Sequence, residues 1–308
     1  MATKNKLNYF GLLALIMAMV TIVMVLAACS DGSDSEKGTE TLTLSGQVYE
    51  REVNEGLRGV MGLLASGDLN TLDPVAIAGL MGVLAGNLIS YDPINGNMAI
   101  SDGGIMGGTG KIENGKLSYS ITKPADAMFV SAADLLGEIT QMLGGFLADE
   151  SLSEAGLPAL SGLYANARIS PANTQVALLN LEIKNSDDYI LIDRELITNT
   201  FSLTSMSMTI TVEGVGYVYV DKKATITATG TSIPNLPIMG IPVNLTLPNI
   251  KLNLKKGWNA LGVKVTITAG MSSSLNISGK VDYSCRQPSE APASLNWVAN
   301  PPTPIEAY

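Results

Sequence analysis

Histidine is absent from this 308-residue chain. That excludes Ser-His-Asp and Cys-His mechanisms, and with them His-ligated zinc, copper and haem. What remains is acid–base work by carboxylates, a Ser–Lys dyad, or oxygen-ligated calcium. No cofactor is implied. Cysteine is nearly absent too, at positions 29 and 285 only, and aromatics make up 5% of residues with two Trp. Few rings argues against a sugar-binding surface built on aromatic platforms. There is no basic cluster: 19 Lys+Arg stand against 28 Asp+Glu, a net charge of −9. Nucleic acid is therefore not an expected partner, because neutralising phosphates takes Lys and Arg.

What the chain does have is a long apolar run at its start. Lys4 and Lys6 precede an uncharged stretch, Phe10 to Ala28, that ends in Leu26-Ala27-Ala28-Cys29. A positive flank, an apolar stretch and small terminal residues are the pattern of an export signal. The last four residues resemble the lipobox of bacterial lipoproteins. The resemblance implies that diacylglycerol is joined to the Cys29 thiol and that the chain is cut between Ala28 and Cys29. The alternative is an uncleaved spanning helix, since the stretch approaches the roughly 20 apolar residues that cross a bilayer. Either way the chain is tethered to a membrane. Each buried acyl CH₂ contributes about 0.8 kcal/mol, and lipoproteins carry two or three chains.

Removing residues 1–28 takes away two lysines and no acid, leaving 17 basic and 28 acidic residues and a net charge of −11. Such a body is not held to anionic lipid electrostatically; the lipid does the anchoring. With Cys29 used for lipid, Cys285 is left alone and the mature chain has no intramolecular disulfide. Cys285 then reads as a small buried residue, or alternatively as a reactive or intermolecular thiol. Residues 29–40 are polar and aperiodic and read as a flexible tether. In lipoprotein families where the residue after the Cys governs sorting, Ser30 favours the outer membrane over the inner.

The remainder reads as mainly β: antiparallel sandwich-like sheets, or a barrel, with a helical insertion and one amphipathic connecting helix. Residues 41–165 form an N-terminal β region, 166–287 a C-terminal antiparallel domain and 288–308 a Pro-rich extended tail. Thr41–Tyr49 alternates as a strand. Lys111–Ile121 reads as a hairpin turning at Asn114-Gly115, the pair favoured in type I′ turns. Leu57–Ile89 is helix-like, with Asp73-Pro74 as a start. Its second stretch, residues 75–89, is apolar nearly all round, so the insertion packs on the sheet or faces lipid or a partner. Ser131–Leu147 has helical apolar spacing, with Ser131 and Asp134 as a capping pair. Strands follow at Leu181–Ile183, Tyr189–Ile192, Met208–Val220, Ala224–Thr229, Ile241–Leu247, Ile250–Leu254, Leu261–Ile267 and Leu275–Tyr283. Gly214 and Gly216 suggest a bulge or a close contact.

Two sets of segments also resemble pieces that recur in uncharacterised bacterial envelope lipoproteins. One is Ser45–Tyr49 with Asn114–Ile121; the other is Tyr219–Lys223 with Leu254–Asn259. Such families have no assigned activity, so the likeness implies nothing about chemistry.

Three motifs touch on chemistry. Ser120-Ile-Thr-Lys123 spells the S-x-x-K of penicillin-binding enzymes, but on a strand and without the companion patterns. Gly103–Gly110 is glycine-rich, but strand rather than helix follows it, so it reads as a loop and not a phosphate cradle. Asp187, Asp188, Asp193 and Glu195 are the densest acidic group. They are either solvated turn residues or weak calcium ligands. No catalytic residue stands out. The expected function is a membrane-anchored, non-catalytic envelope lipoprotein that binds or assembles with a protein or glycan. The alternatives are a carrier or sensor of an apolar ligand, built on the Met- and Leu-rich helices, and a carboxylate-dependent glycan hydrolase.

Overall fold

The computed structural model describes residues 39–53, 86, 89–101, 107–138, 166–185, 188–202, 204–205, 207–238, 241–271 and 275–300. The expected signal segment 1–28, most of the expected tether, nearly all of Leu57–Ile89 and the expected continuation of a helix beyond residue 138 lie outside them. The strands are Leu42–Val53 (β1), Ile89–Pro93 (β2), Met98–Ser101 (β3), Thr109–Glu113 (β4), Lys116–Ile121 (β5), Val130–Ser131 (β6), Arg168–Ser170 (β7), Gln175–Leu178 (β8) and Leu181–Asn185 (β9). They continue with Asp188–Ser202 (β10), Ser207–Val220 (β11), Ala224–Ala228 (β12), Thr231–Ile238 (β13), Ile241–Leu247 (β14), Ile250–Leu254 (β15), Gly257–Met271 (β16), Leu275–Arg286 (β17) and Asn296–Asn300 (β18). The chain is mainly β. A helical stretch spans 132–138 (α1), and the Ser131 hydroxyl accepts the Asp134 amide at 3.3 Å, as the capping pair required.

In β1, Leu42, Leu44 and Val48 are buried while Thr43 and Glu50 are exposed, the period of two that a half-buried strand dictates. β4 and β5 form the expected hairpin. Asn114 and Gly115 take φ of 49° and 74°, and a side chain at Gly115 would collide with the Ile94 carbonyl. β5 then pairs antiparallel with β1. The sheet runs β13-β14-β17-β16-β11-β10-β18-β1-β5-β4-β3-β9, and β9 also pairs with β10. The path β10-β18-β1-β5-β4-β3-β9 therefore returns to β10 as a closed ring. Closure removes the free edges that an open sheet exposes.

The ring is filled, not hollow. Leu42, Leu44, Val48, Ile112, Leu117, Tyr119, Ile183, Ile192 and Trp297 form one core. Gly46, at φ +151°, lets Trp297 approach: a Cβ there would stand 2.8 Å from its Cδ1. The Trp297 indole N–H donates to the Ser45 carbonyl at 3.1 Å, so this large side chain is buried with its polar atom satisfied. The same core continues along β11 and β16 through Tyr217, Tyr219, Trp258 and Ala260.

A second core lies on the opposite face of β11, β16 and β17. There α1 contributes Ala132 and Leu136, and a separate sheet, β15-β12-β7, contributes Ile250, Leu252, Ile226 and Ile169. β11 is thus covered on both faces. Val218 and Val220 go to one core, Tyr217 and Tyr219 to the other. That is why its end reads as nearly continuous apolar sequence instead of alternation.

Several expectations change. β11 keeps an unbroken register with β16 from Ser207 to Val220, so Gly214 and Gly216 mark no bulge. β13, unforeseen, carries Pro234 and Pro237 and the bulge between Ile233 and Leu236. Asn296–Asn300, read as part of an extended tail, is a ring strand between β1 and β10. Strands drawn from residues 41–165, 166–287 and 288–308 share one sheet.

Candidate functional site

β10 changes neighbours midway. Up to Ile192 one edge pairs with β9, Ile192 facing Leu181; from Arg194 the same edge pairs with β11, Arg194 facing Val215. At this fork the ladder opens. A cavity of about 110 Å³ occupies it, lined from both sides of the sheet by Leu178, Leu181, Gly216, Tyr217, Leu261 and Trp297 among others. Asn180 and Asp193 are exposed at its rim.

Arg194 points inward at the fork, because it shares a face with its ladder partners Val215 and Trp297. Its Nη1 donates to the Tyr217 hydroxyl at 2.7 Å and its Nη2 to the Pro292 carbonyl at 3.0 Å. The guanidinium carbon lies 5.4 Å from the centre of the Trp297 ring, which stacks on Tyr217 with centroids 6.1 Å apart. Burial pushes the Tyr217 phenol up, against the pull of the Arg194 charge, so Tyr217 remains a neutral acceptor. Arg194 Nε is buried and has no partner. No carboxylate among the described residues forms an ion pair with Arg194.

The other face of β10 carries a second polar group. Glu195 is 3% exposed and its Oε1 accepts from Arg51 Nη1 at 2.6 Å. Burial raises the Glu195 pKa from its ordinary 4.5, outweighing the opposing Arg51 charge. Tyr91, opposite Arg51 in the β1–β2 ladder, is pushed up to about 12, first by burial and then by the Glu195 charge. Its hydroxyl accepts the Ile197 amide at 2.7 Å. This cluster ties β1, β2 and β10 together.

The acidic group expected as turn or calcium residues is thus rearranged. Asp187 lies outside the described residues, and the side chain of Asp188 is likewise not described. Asp193 and Glu195 sit on a strand, not a turn. Asp193 is exposed and Glu195 is buried against an arginine. Among the described residues no group of three acidic or sulfur ligands converges on one point. Ser120 lies in β5, while Lys123 follows the strand and binds Asp126 at 2.7 Å over the Phe129 ring; the two are not paired with each other. A wider, open hollow of about 420 Å³ is lined by Asn166, Arg168, Thr227 and Asn249. Both asparagines there accept backbone amides, from Thr229 and Gly230. Neither cavity brings two carboxylates together.

Cys285, expected as a lone thiol, is disulfide-bonded, its sulfur 3.8 Å from Asn259 Oδ1. The expectation of no intramolecular disulfide is corrected on this point. The chain's other cysteine, Cys29, and its neighbour Ala28 lie outside the described residues. No helix among the described residues is long and apolar enough to cross a membrane.

Arg194 escaped the sequence reading because no motif surrounds it. The only local signal was a single cation in an apolar strand, Leu191-Ile192-Asp193-Arg194. No family model, curated protein or solved structure matches the chain.

Proposed function

We propose that this is a lipid-anchored, non-catalytic lipoprotein of the bacterial cell envelope, its outer membrane by the Ser30 signal, whose β body binds a partner outside the membrane. The observation that carries the reading is Leu26-Ala27-Ala28-Cys29 at the end of an uncharged apolar run, followed at once by a polar tether. The structure supplies a fitting landing point for that tether. Thr39 is bridged to Trp258, whose amide donates to the Thr39 carbonyl at 2.9 Å. The Thr39 hydroxyl donates to Gln287 at 2.8 Å. Nine residues lie between Cys29 and Thr39, and the ten chain steps reach at most about 36 Å, so the body stays close to the surface that holds its lipid.

A lipid thioether on Cys29 and an intramolecular disulfide at Cys285 cannot share the one Cys29 sulfur, and the test decides between them. The test compares the intact mass and membrane fractionation of wild type with Cys29→Ala. The expected wild type begins at Cys29, carries acyl mass and sits in the membrane fraction, while the variant is released. A wild-type chain of full N-terminal length, or one that carries no acyl mass and gains two hydrogens on reduction, overturns the reading.

A further inference from the structure

We infer that the outer face of the small sheet, β15-β12-β7, binds an acidic polysaccharide. The register fixes what that face presents. Ile226 pairs with Ile169 on one side and Leu252 on the other, and all three are buried in the second core. Alternation turns the residues before and after them outward. One outward rung is Arg168-Thr227-Lys251, and the next is Ser170-Thr225-Asn253. Just past the strand ends, Asn166, Thr229 and Asn249 make a third row and, with Arg168 and Thr227, line the open hollow of about 420 Å³. Thr225 is half-buried and the other residues of this face are exposed. None of them is an acid and none is apolar, although acids outnumber bases 28 to 19 along the chain. Neither Arg168 nor Lys251 forms an ion pair among the described residues.

The chemistry follows from the donors. The side-chain oxygens of the three asparagines are engaged. Asn166 Oδ1 accepts the Thr229 amide at 3.0 Å and Asn249 Oδ1 the Gly230 amide at 2.8 Å. Asn253 Oδ1 accepts the Thr225 hydroxyl at 3.2 Å. Each asparagine therefore offers its N–H groups, beside the Arg168 guanidinium and the Lys251 ammonium. These two cations stand two strand spacings apart, about 10 Å at the backbone, with the Thr227 hydroxyl between them. A chain of sugar acids matches this surface: its hydroxyl and ring oxygens meet amides and hydroxyls, and its carboxylates meet the cations. Other polymers match it less well. The face holds no ring on which bases could stack, and no aromatic anchor of the kind that centres protein interfaces. An acidic glycan held by charge and hydrogen bonds needs neither, so it is compatible with a chain poor in aromatics. The inference rests on the proposed role of the β body in binding a partner and names that partner's chemistry. It is independent of the anchor: a failed titration leaves the lipidation result standing, and a chain without acyl mass can still be titrated.

The experiment is isothermal titration calorimetry of the full chain in nonionic detergent, with polygalacturonate and alginate as probes. Maltohexaose is the neutral sugar control, and poly-L-glutamate and polyphosphate are the polyanions without sugar. The expected result is saturable binding of a uronate polymer that weakens as salt is added. Maltohexaose does not bind, and the two other polyanions bind more weakly than the uronates. In the double variant Arg168→Gln/Lys251→Gln, uronate binding falls roughly tenfold, while the thermal midpoint stays in place because both side chains are exposed. If the double variant does not fold, the wild-type panel decides by itself. No saturable binding of either uronate polymer overturns the proposal. Equal binding of maltohexaose does so too, as does binding of poly-L-glutamate or polyphosphate as tight as that of the uronates, which would make the face a plain anion binder. Unchanged binding in the folded double variant would put the site elsewhere and overturn it as well.

Discussion

Glu195 and Arg194 are neighbours in sequence and opposites in circumstance. One is a buried acid with a cation at 2.6 Å; the other is an inward cation that forms no ion pair with an acid among the described residues. Because burial raises the Glu195 pKa, the folded protein holds more proton on it than the unfolded chain does above pH 4.5. Stability from this group is therefore complete below the ordinary value and is lost as pH rises through the raised one. Chemical denaturation of wild type and Glu195→Gln across that window should show wild type losing stability relative to the variant as pH increases. A difference that runs the other way would mean that Arg51, not burial, controls the carboxyl. Sequence could not separate these two residues. Asp187, Asp188, Asp193 and Glu195 look like one acidic patch, yet strand alternation sends 193 and 195 to one face, and the cation that meets Glu195 lies 144 residues away.

Elements were legible where their information is local. Leu42-Thr-Leu-Ser alternates, Asn114-Gly115 needs positive φ at both positions, and Ser131 caps α1; all three appear where the residues required. β13 was hidden because its two prolines cannot donate to a ladder and argue against a strand. Its place explains them: it is the outermost strand of the open end of the sheet. Prolines and the bulge after Ile233 blunt an edge that would otherwise recruit another chain. Replacing Pro234 and Pro237 together by Thr should leave the monomer folded but make it self-associate at high concentration, seen as earlier elution and rising light scattering. A double variant that stays monomeric at all concentrations would show that the edge is shielded by other means. β18 was hidden differently. Five residues between prolines carry too short a pattern to betray a strand, and its two partners, β1 and β10, lie far away in sequence.

The whole molecule is stitched between its first and last strands. Val48, Tyr49 and Glu50 of β1 run parallel to Trp297, Val298 and Ala299 of β18, so the ring cannot close until residues near 300 are present. A chain ended after Leu295 should lack Trp297 and the strand between β1 and β10. It should lose the cooperative thermal transition while keeping β-type far-ultraviolet dichroism in the sheet around β11, β16 and β17. A truncated chain that melts within a few degrees of wild type would mean that β1 and β10 pair without β18. The same parallel pairing has a mechanical side. Force applied through a tether ahead of Thr39 first meets the single bridge to Trp258 and then runs along the axis of β1. There the hydrogen bonds to β5 and β18 lie across the pull and share the load together, instead of opening one at a time. A body loaded through its first strand in this way resists being pulled apart from that end.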